Sequence, residues 1–531
     1  MLPPLPRCGA RGIYNKRPPW VIMRPVRAWS ATWLASAALC AGNGPARAEP
    51  PIFDVIELPS TGRSVAVELA DLDGDGRTDL LEVAFQGVPP DERRRIRVRF
   101  QTAGGGFARE PDMEALLPPE SAAYDLADLI GGPGQELVLL GARGFAILAF
   151  EDGVQTRRLT VPDGVTLGAA PDERGLERLE LVTRDLDERP LLVAPGLGET
   201  FLLGVGGELR ARLAVGGRAN YFADPPHLLM SDSAFQLFFD APRLGFGDVD
   251  GDGRADVVAA GRHEIRVFLR RPDDRFASEP DRTLWLRRVS PEDHVRGSGA
   301  VRSLARDLDA DGRLDLVIAQ ISGGILDSRD ETSVFLNRDG GWNLEAPDAL
   351  FRTDHVVSGV RLIDLDADGR LELLRMLVPV NVLELVELLV TRSFDVRILA
   401  YGMDAEGRFA SQPRFERRRG VALDFASART AGFLPIFDGD WNGDGVADLM
   451  TSGDGTYLEV SLGSREGGYG DDPARQVLET AGRAVGGDVD GDGLADLLIF
   501  NPRIPDSPLR LCRNRGALPG TRPSLRVGPL D

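Results

Sequence analysis

Asp248-Val249-Asp250-Gly251-Asp252-Gly253-Arg254-Ala255-Asp256-Val257 is the stretch on which the reading of this chain turns. Carboxylates at its first, third, fifth and ninth positions can meet at one point if the chain between them curls tightly. Gly253, at the sixth position, supplies the left-handed backbone such a curl requires. The string recurs as DLDGDGRTDL from Asp71, DLDADGRLDL from Asp307, DLDADGRLEL from Asp364, DWNGDGVADL from Asp440 and DVDGDGLADL from Asp488. Two worn copies stand in phase with these, DLIGGPGQEL from Asp128 and the shortened DLDERPLLVA from Asp185. The eight starts are separated by 57, 57, 63, 59, 57, 76 and 48 residues, so the chain reads as eight repeats of one unit.

Each unit reads as strands. An apolar run follows the acidic string, as at Val257-Val258-Ala259-Ala260 and Leu497-Leu498-Ile499-Phe500. A second β-type run comes later, as at Ile96–Phe100, Phe145–Leu148, Ile265–Phe268 and Ser333–Leu336, and Gly-rich turns close several units. Four short strands repeated eight times predict an all-β fold, a single closed propeller of four-stranded blades, with seven blades as the rival count. The last unit stops at a third strand, Leu509–Cys512, while Ile52–Leu58 precedes the first string as a lone strand. Pairing the two would close the ring and remove two exposed sheet edges. The sixth unit is the longest and carries a helical insertion near 379–392, where Val382, Leu385, Val386 and Leu389 share one face. That face is expected to pack on a blade, with docking of a partner as the alternative.

The strings are candidate metal sites. Carboxylates crowded to ~4 Å repel by about 4 kcal/mol per pair at an effective dielectric near 20. An all-oxygen shell, completed by the carbonyl at position seven, suits a hard cation, and calcium is preferred over magnesium, which seldom takes an all-protein cage. Zinc is not expected, because no Cys or His accompanies the strings. An EF-hand needs Glu at position twelve; Glu82 fits, but the other strings place Ala259, Ile318, Arg375, Thr451 and Ile499 there, and a strand rather than a helix follows.

These strings resemble the repeats of the FG-GAP/VCBS family, the integrin-α-type β-propeller, over nearly the whole chain after its first 48 residues. The resemblance implies calcium, about six ions, held in loops between the first two strands of six blades. It implies as ligands Asp71, Asp73, Asp75, the Arg77 carbonyl and Asp79. The matching sets are Asp248, Asp250, Asp252, Arg254 and Asp256; Asp307, Asp309, Asp311, Arg313 and Asp315; and Asp364, Asp366, Asp368, Arg370 and Glu372. The last two are Asp440, Asn442, Asp444, Val446 and Asp448, and Asp488, Asp490, Asp492, Leu494 and Asp496. The string at Asp128 has Ile130 and Gly132 at positions three and five, and that at Asp185 lacks the glycine, so neither is expected to hold metal.

The remaining composition narrows function. The 531 residues hold 62 Lys+Arg against 82 Asp+Glu, a net charge of -20, which argues against a nucleic-acid binder. Residues 1–48 read as a signal peptide: seven positive residues and no acid, an apolar run over 28–42, then Ala46-Arg47-Ala48 as a cleavage site. A lipid anchor at Cys40 is the rival. Cleavage leaves Cys512 as the sole cysteine, no lysine, a charge of -27 and no membrane span. The protein is thus expected in the periplasm or outside the cell. His227, His263, His294 and His355 are scattered, and no nucleophile elbow, zinc-binding pair or phosphate loop is present. The expectation is a non-catalytic binding, adhesion or scaffold module for an extracellular protein or polysaccharide. An extracellular polysaccharide lyase or hydrolase on the same scaffold is the alternative. The clusters Arg93–Arg95 and Arg417–Arg419 are read as strand and turn faces, or else as a grip on an anionic polymer.

Overall fold

A computed structural model describes residues 51–521, apart from 133, 152, 163, 169–175, 185–188, 224–234, 242, 297–298, 325–326, 405, 425–428 and 434. The expected signal peptide, 1–48, and the start of the worn string at Asp185 lie outside the described residues.

The apolar run behind each acidic string becomes the second strand of an antiparallel sheet. In blade 1 the strands are Arg63–Ala70, Asp79–Gln86, Arg93–Arg99 and Met113–Leu116, paired in chain order. Blades 2 to 8 open with Ala123–Ala127, Val182–Arg184, Arg243–Gly247, Ala300–Arg306, Val356–Ile363, Ile436–Gly439 and Arg483–Gly487. The result is a β-propeller of eight four-stranded blades, which removes the seven-bladed alternative.

Successive side chains on a strand point to opposite faces, and here both faces are covered by neighbouring blades. Leu80 packs with Val489, Leu498 and Leu511 of blade 8, whereas Leu81 packs with Leu137 and Leu148 of blade 2. Leu316 and Val317, Leu373 and Leu374, and Leu449 and Met450 divide in the same way. Two covered faces explain why these runs are continuously apolar rather than alternating. The eight apolar clusters each join two consecutive blades, and one of them joins blade 8 back to blade 1.

Ring closure follows the sequence expectation. Phe53–Leu58 pairs antiparallel with Leu509–Asn514 in the register Phe53↔Asn514 through Leu58↔Leu509, completing blade 8. The first strand of blade 8 packs on that of blade 1. Phe53 is 1% exposed, and its ring stands edge-on to Trp441 at 5.8 Å.

Several elements were not legible in the sequence. A hairpin, Arg218–Ala223 with Phe235–Asp240, intervenes between blades 3 and 4 and accounts for the long third spacing. A short helix, Pro291–Arg296, precedes blade 5. The expected insertion in blade 6 is a helix, Val382–Thr391, capped by Asn381 Oδ1, which accepts from Leu383 N at 3.0 Å and Glu384 N at 3.1 Å. Its expected packing face is corrected at Val382, Val386 and Leu389, which are exposed, as are Leu383 and Val390; the side chain of Leu385 lies outside the described residues, and Glu384 and Leu388 are half-buried. The helix bridges Glu372–Pro379 and Ser393–Tyr401 at the end of the sheet. Among the described residues no helix is long and apolar enough to cross a membrane.

The closing strand yields a prediction. Phe53→Ala should lower unfolding free energy by about 3–5 kcal/mol, the usual cost of emptying a buried aromatic site. Val55→Ala, at an exposed position of the same strand, should cost well under 1 kcal/mol. Urea denaturation of the two variants checks the contrast.

Candidate metal centres

Each acidic string links the first strand of a blade to the second, and its local geometry is written in its own side chains. In blade 1, Asp71 Oδ1 accepts from Gly74 N at 2.6 Å and Oδ2 from Gly76 N at 2.9 Å. Asp75 Oδ1 accepts from Arg77 N at 2.9 Å. Blade 4 repeats this with Asp248, Gly251, Gly253, Asp252 and Arg254, and blade 7 with Asp440, Gly443, Gly445, Asp444 and Val446. The sixth position is left-handed throughout, as at Gly253 (φ 79°). The fourth is left-handed too, and Ala310 (φ 61°) and Ala367 (φ 59°) hold it there in spite of their Cβ. That second left-handed position escaped the sequence reading.

Five of the six strings bring three carboxylates together, with one oxygen of each within 4.8 Å of the others. The trios are Asp71, Asp73 and Asp79; Asp248, Asp250 and Asp256; Asp307, Asp309 and Asp311; Asp364, Asp366 and Glu372; and Asp488, Asp490 and Asp492. Asp75, Asp252, Asp315, Asp368 and Asp496 stand outside these trios. Asp75 and Asp252 instead pair with Arg77 and Arg254 two residues on. The string at Asp440 forms no such trio: Asn442 takes its third position, its Nδ2 donating to Asp444 Oδ2 at 3.1 Å.

Whether a cation suits these residues can be judged from their oxygens. Asp307 Oδ1, Asp309 Oδ1 and Asp366 Oδ1 are buried, and these atoms have no well-formed hydrogen bond from the described residues. A buried, unsatisfied carboxylate oxygen is costly. Three hard oxygens facing one point, with neighbouring acids repelling each other, are satisfied by a hard divalent cation. The donor set therefore fits calcium. In blade 6 a competitor is present: Arg414 Nη1 lies 3.1 Å from Asp366 Oδ2 and 3.6 Å from Glu372 Oε1.

The ninth position has a role that the sequence reading missed. Asp79 is buried at the root of its strand; its Oδ2 accepts from Leu72 N at 2.9 Å and its Oδ1 from Gln101 N at 2.9 Å. One carboxylate thus ties the string to the end of the third strand. Asp256, Asp315, Asp448 and Asp496 repeat both bonds within 2.6–2.9 Å. Burial pushes Asp79 and Asp448 up to about 6, and Asp315, Glu372 and Asp496 up to about 7, with string neighbours adding to the rise and the N–H bonds opposing it. The worn string keeps the string half of this clamp: Glu136 Oε2 accepts from Leu129 N at 2.8 Å.

The strings are also stitched from blade to blade. The position-eight N–H of one string donates to the preceding string: Gln135 N to Asp71 O (2.8 Å), Leu314 N to Asp248 O (2.9 Å), Leu371 N to Leu308 O (2.9 Å) and Ala495 N to Asp440 O (3.0 Å). Position-seven arginines reach past their own loops; Arg77 Nε donates to Gln101 O at 3.1 Å and Arg254 Nε to Arg270 O at 3.1 Å.

Other candidates from the sequence fall into structural places. Glu82 is buried beside Arg97 and Arg99 at 3.7 and 3.5 Å, inside blade 1. Arg94, Arg95, Arg417 and Arg419 lie in ion pairs with Glu92, Glu114, Asp471 and Glu459.

Comparison with known proteins agrees with this geometry. Residues 307–374 match the FG-GAP-like repeat family, a segment that opens on one acidic string and ends just beyond the next. The class defined here is an eight-bladed β-propeller carrying an FG-GAP-like repeat. No curated protein matches the chain. Among solved structures the chain is similar to the V. cholerae biofilm matrix protein Bap1, with 12% identity over 87% of this chain and 89% of that one and a TM-score of 0.33. It is also similar to Sqt1 from Chaetomium thermophilum, with 11% identity over 86% of this chain and 98% of that one and a TM-score of 0.42.

The clamp can be separated from any cation in blade 2. Glu136→Ala should cost about 1–3 kcal/mol, because it strands a buried N–H. Glu136→Gln, which keeps an acceptor oxygen, should recover most of that loss, and neither should change the number of calcium ions bound. Chemical denaturation together with calorimetric titration reads both effects.

Proposed function

We propose that this chain is a calcium-binding propeller that serves as a non-catalytic binding or scaffold module in the periplasm or outside the cell. The buried Oδ1 atoms of Asp307, Asp309 and Asp366, which have no well-formed hydrogen bond from the described residues and face neighbouring carboxylates, are the observation that carries the calcium reading. The charged, apolar-flanked leader read in residues 1–48 supports export, and the FG-GAP-like repeat supports a recognition role. Calcium would be held chiefly by the trios at Asp71, Asp248, Asp307 and Asp488, more weakly at Asp364 beside Arg414, and at Asp440 through Asn442. The ions neutralise carboxylates that otherwise repel, so the ring is rigid when loaded and its other surfaces are free to vary. Extracellular protein or polysaccharide is the partner class.

Removing the metal tests this reading. Chelation should lower the melting temperature substantially, since a ligand at 100 times its Kd stabilises by about 2.7 kcal/mol per independent site. Superimposable melts with and without chelator would refute calcium binding. Asp250→Ala, which removes one member of the blade 4 trio, should delete one site from a calorimetric titration and leave the rest.

Blade 6 provides a finer check. Arg414→Gln withdraws the guanidinium from Asp366 and Glu372, so calcium affinity there should rise by about tenfold, the effect of removing one like charge at partly exposed range. A titration in which the weakest site of the native protein becomes one of the tighter ones is the expected result.

A further inference from the structure

The strings of neighbouring blades are joined by side chains as well as by backbone, and two asparagines carry the link. Asn337 follows the third strand of blade 5, and Asn514 ends that of blade 8; both are buried. Asn337 Nδ2 donates to Val249 O of the blade 4 string at 2.8 Å, and Asn514 Nδ2 donates to Trp441 O of the blade 7 string at 2.8 Å. Asn337 Oδ1 accepts from Gly341 N at 2.6 Å and Asn514 Oδ1 from Gly516 N at 3.0 Å. An amide held this way can present only its NH2 end to the neighbouring blade.

The same two residues hold the strings of their own blades. Asn337 N donates to Asp315 Oδ1 at 2.7 Å, and Asp315 Oδ2 accepts from Leu308 N at 2.9 Å. Asn514 N donates to Asp496 Oδ1 at 2.6 Å, and Asp496 Oδ2 accepts from Val489 N at 2.8 Å. A path of three hydrogen bonds thus runs from position two of one string to position two of the next. That position joins the first two ligand residues: Val249 lies between Asp248 and Asp250, and Leu308 between Asp307 and Asp309. Beside the path, Leu314 N donates to Asp248 O and Ala495 N to Asp440 O. Two other seams have no asparagine at the matching place. Blade 1 has Gln101, whose Nε2 turns to Thr78 O of its own blade at 3.4 Å, and blade 7 has Gly463, which carries no side chain.

An empty string holds carboxylates that repel one another, and a filled one is fixed by its cation. When one string is filled, the bonded amide passes that order to the next, which then has less freedom to lose on filling. We propose that Asn337 and Asn514 couple neighbouring cation loops, so that calcium fills blades 4 and 5, and blades 7 and 8, as cooperative pairs. The proposal rests on the reading of the strings as calcium sites and adds how those sites act on one another. Asn337 and Asn514 are positioning residues, acting through the peptides that they hold.

Equilibrium dialysis of the full chain tests it, with bound calcium counted over a range of buffered free calcium. Asp73→Ala empties blade 1 and should remove one ion while every other midpoint stays in place. Asp250→Ala empties blade 4 and should also remove one ion; the rest still bind, but one of them about fivefold or more weakly, the lower end of usual coupling between sites. Asn337→Asp keeps the bond from Gly341 N and sets a carboxylate oxygen against Val249 O. It should keep the full count and weaken two sites, and adding Asp250→Ala to it should then cost only that variant's own ion. Unchanged midpoints in folded Asn337→Asp, with only a lower melting temperature, would mark a merely structural asparagine and overturn the proposal. It is equally overturned if Asp250→Ala loses one ion and every other midpoint is unmoved or tightened; calcium then binds, but each loop acts alone. Asp490→Ala and Asn514→Asp repeat the comparison in blades 7 and 8, in case Asn337→Asp does not fold. Dialysis that finds no bound calcium would remove the coupling and the calcium reading together.

Discussion

A carboxylate buried at the root of the second strand is the constraint on which each blade depends. It stands where the acidic string ends and the sheet begins, and it accepts backbone N–H groups from the string and, in five blades, from the end of the third strand. Buried backbone donors need partners, and here one side chain serves two segments that the ladder does not otherwise join. The arrangement is costly for the acid, as the upward pKa shifts at Asp79, Asp315 and Asp496 record. The N–H groups that the carboxylate accepts offset part of that cost, so loop and sheet support one another.

The same end of the strands also joins the blades. Hydrogen bonds from one string to the next run along the ring, and apolar clusters fill every seam beneath them. Because each second strand is covered on both faces, no blade can bury its core alone, and the ring must close. Closure uses a strand from each end of the described chain, which removes the exposed edges an open array would present. Stability and closure are thus one property.

Charge is divided along the strands. Carboxylates crowd at one end, in the acidic strings of successive blades. The exposed apolar side of helix Val382–Thr391 is a further surface at which the chain departs from the plain repeat.

Much of this was legible in one dimension because the repeat is local. The acidic string, its glycine, the apolar run behind it and the recurring spacing are neighbours in sequence, and they pointed to eight blades, with seven left as a rival, and to the pairing of the first strand-like segment with the last. The left-handed fourth position was hidden where alanine occupies it, at Ala310 and Ala367, since composition there signals helix rather than turn. The clamp at Glu136 was hidden because a worn string gives no reason to keep one acid. Helix Val382–Thr391 has the periodicity of a packed helix, and only its place beyond the end of the sheet leaves that side bare. Arg414 and Asp366 are 48 residues apart, and Asn337 and Val249 stand in different blades; no local pattern relates them. Sequence by itself determined the repeat, because its signals lie within one unit. Which residues of different units face each other was decided by the tertiary structure alone, because the angle between blades is set by packing across the seams.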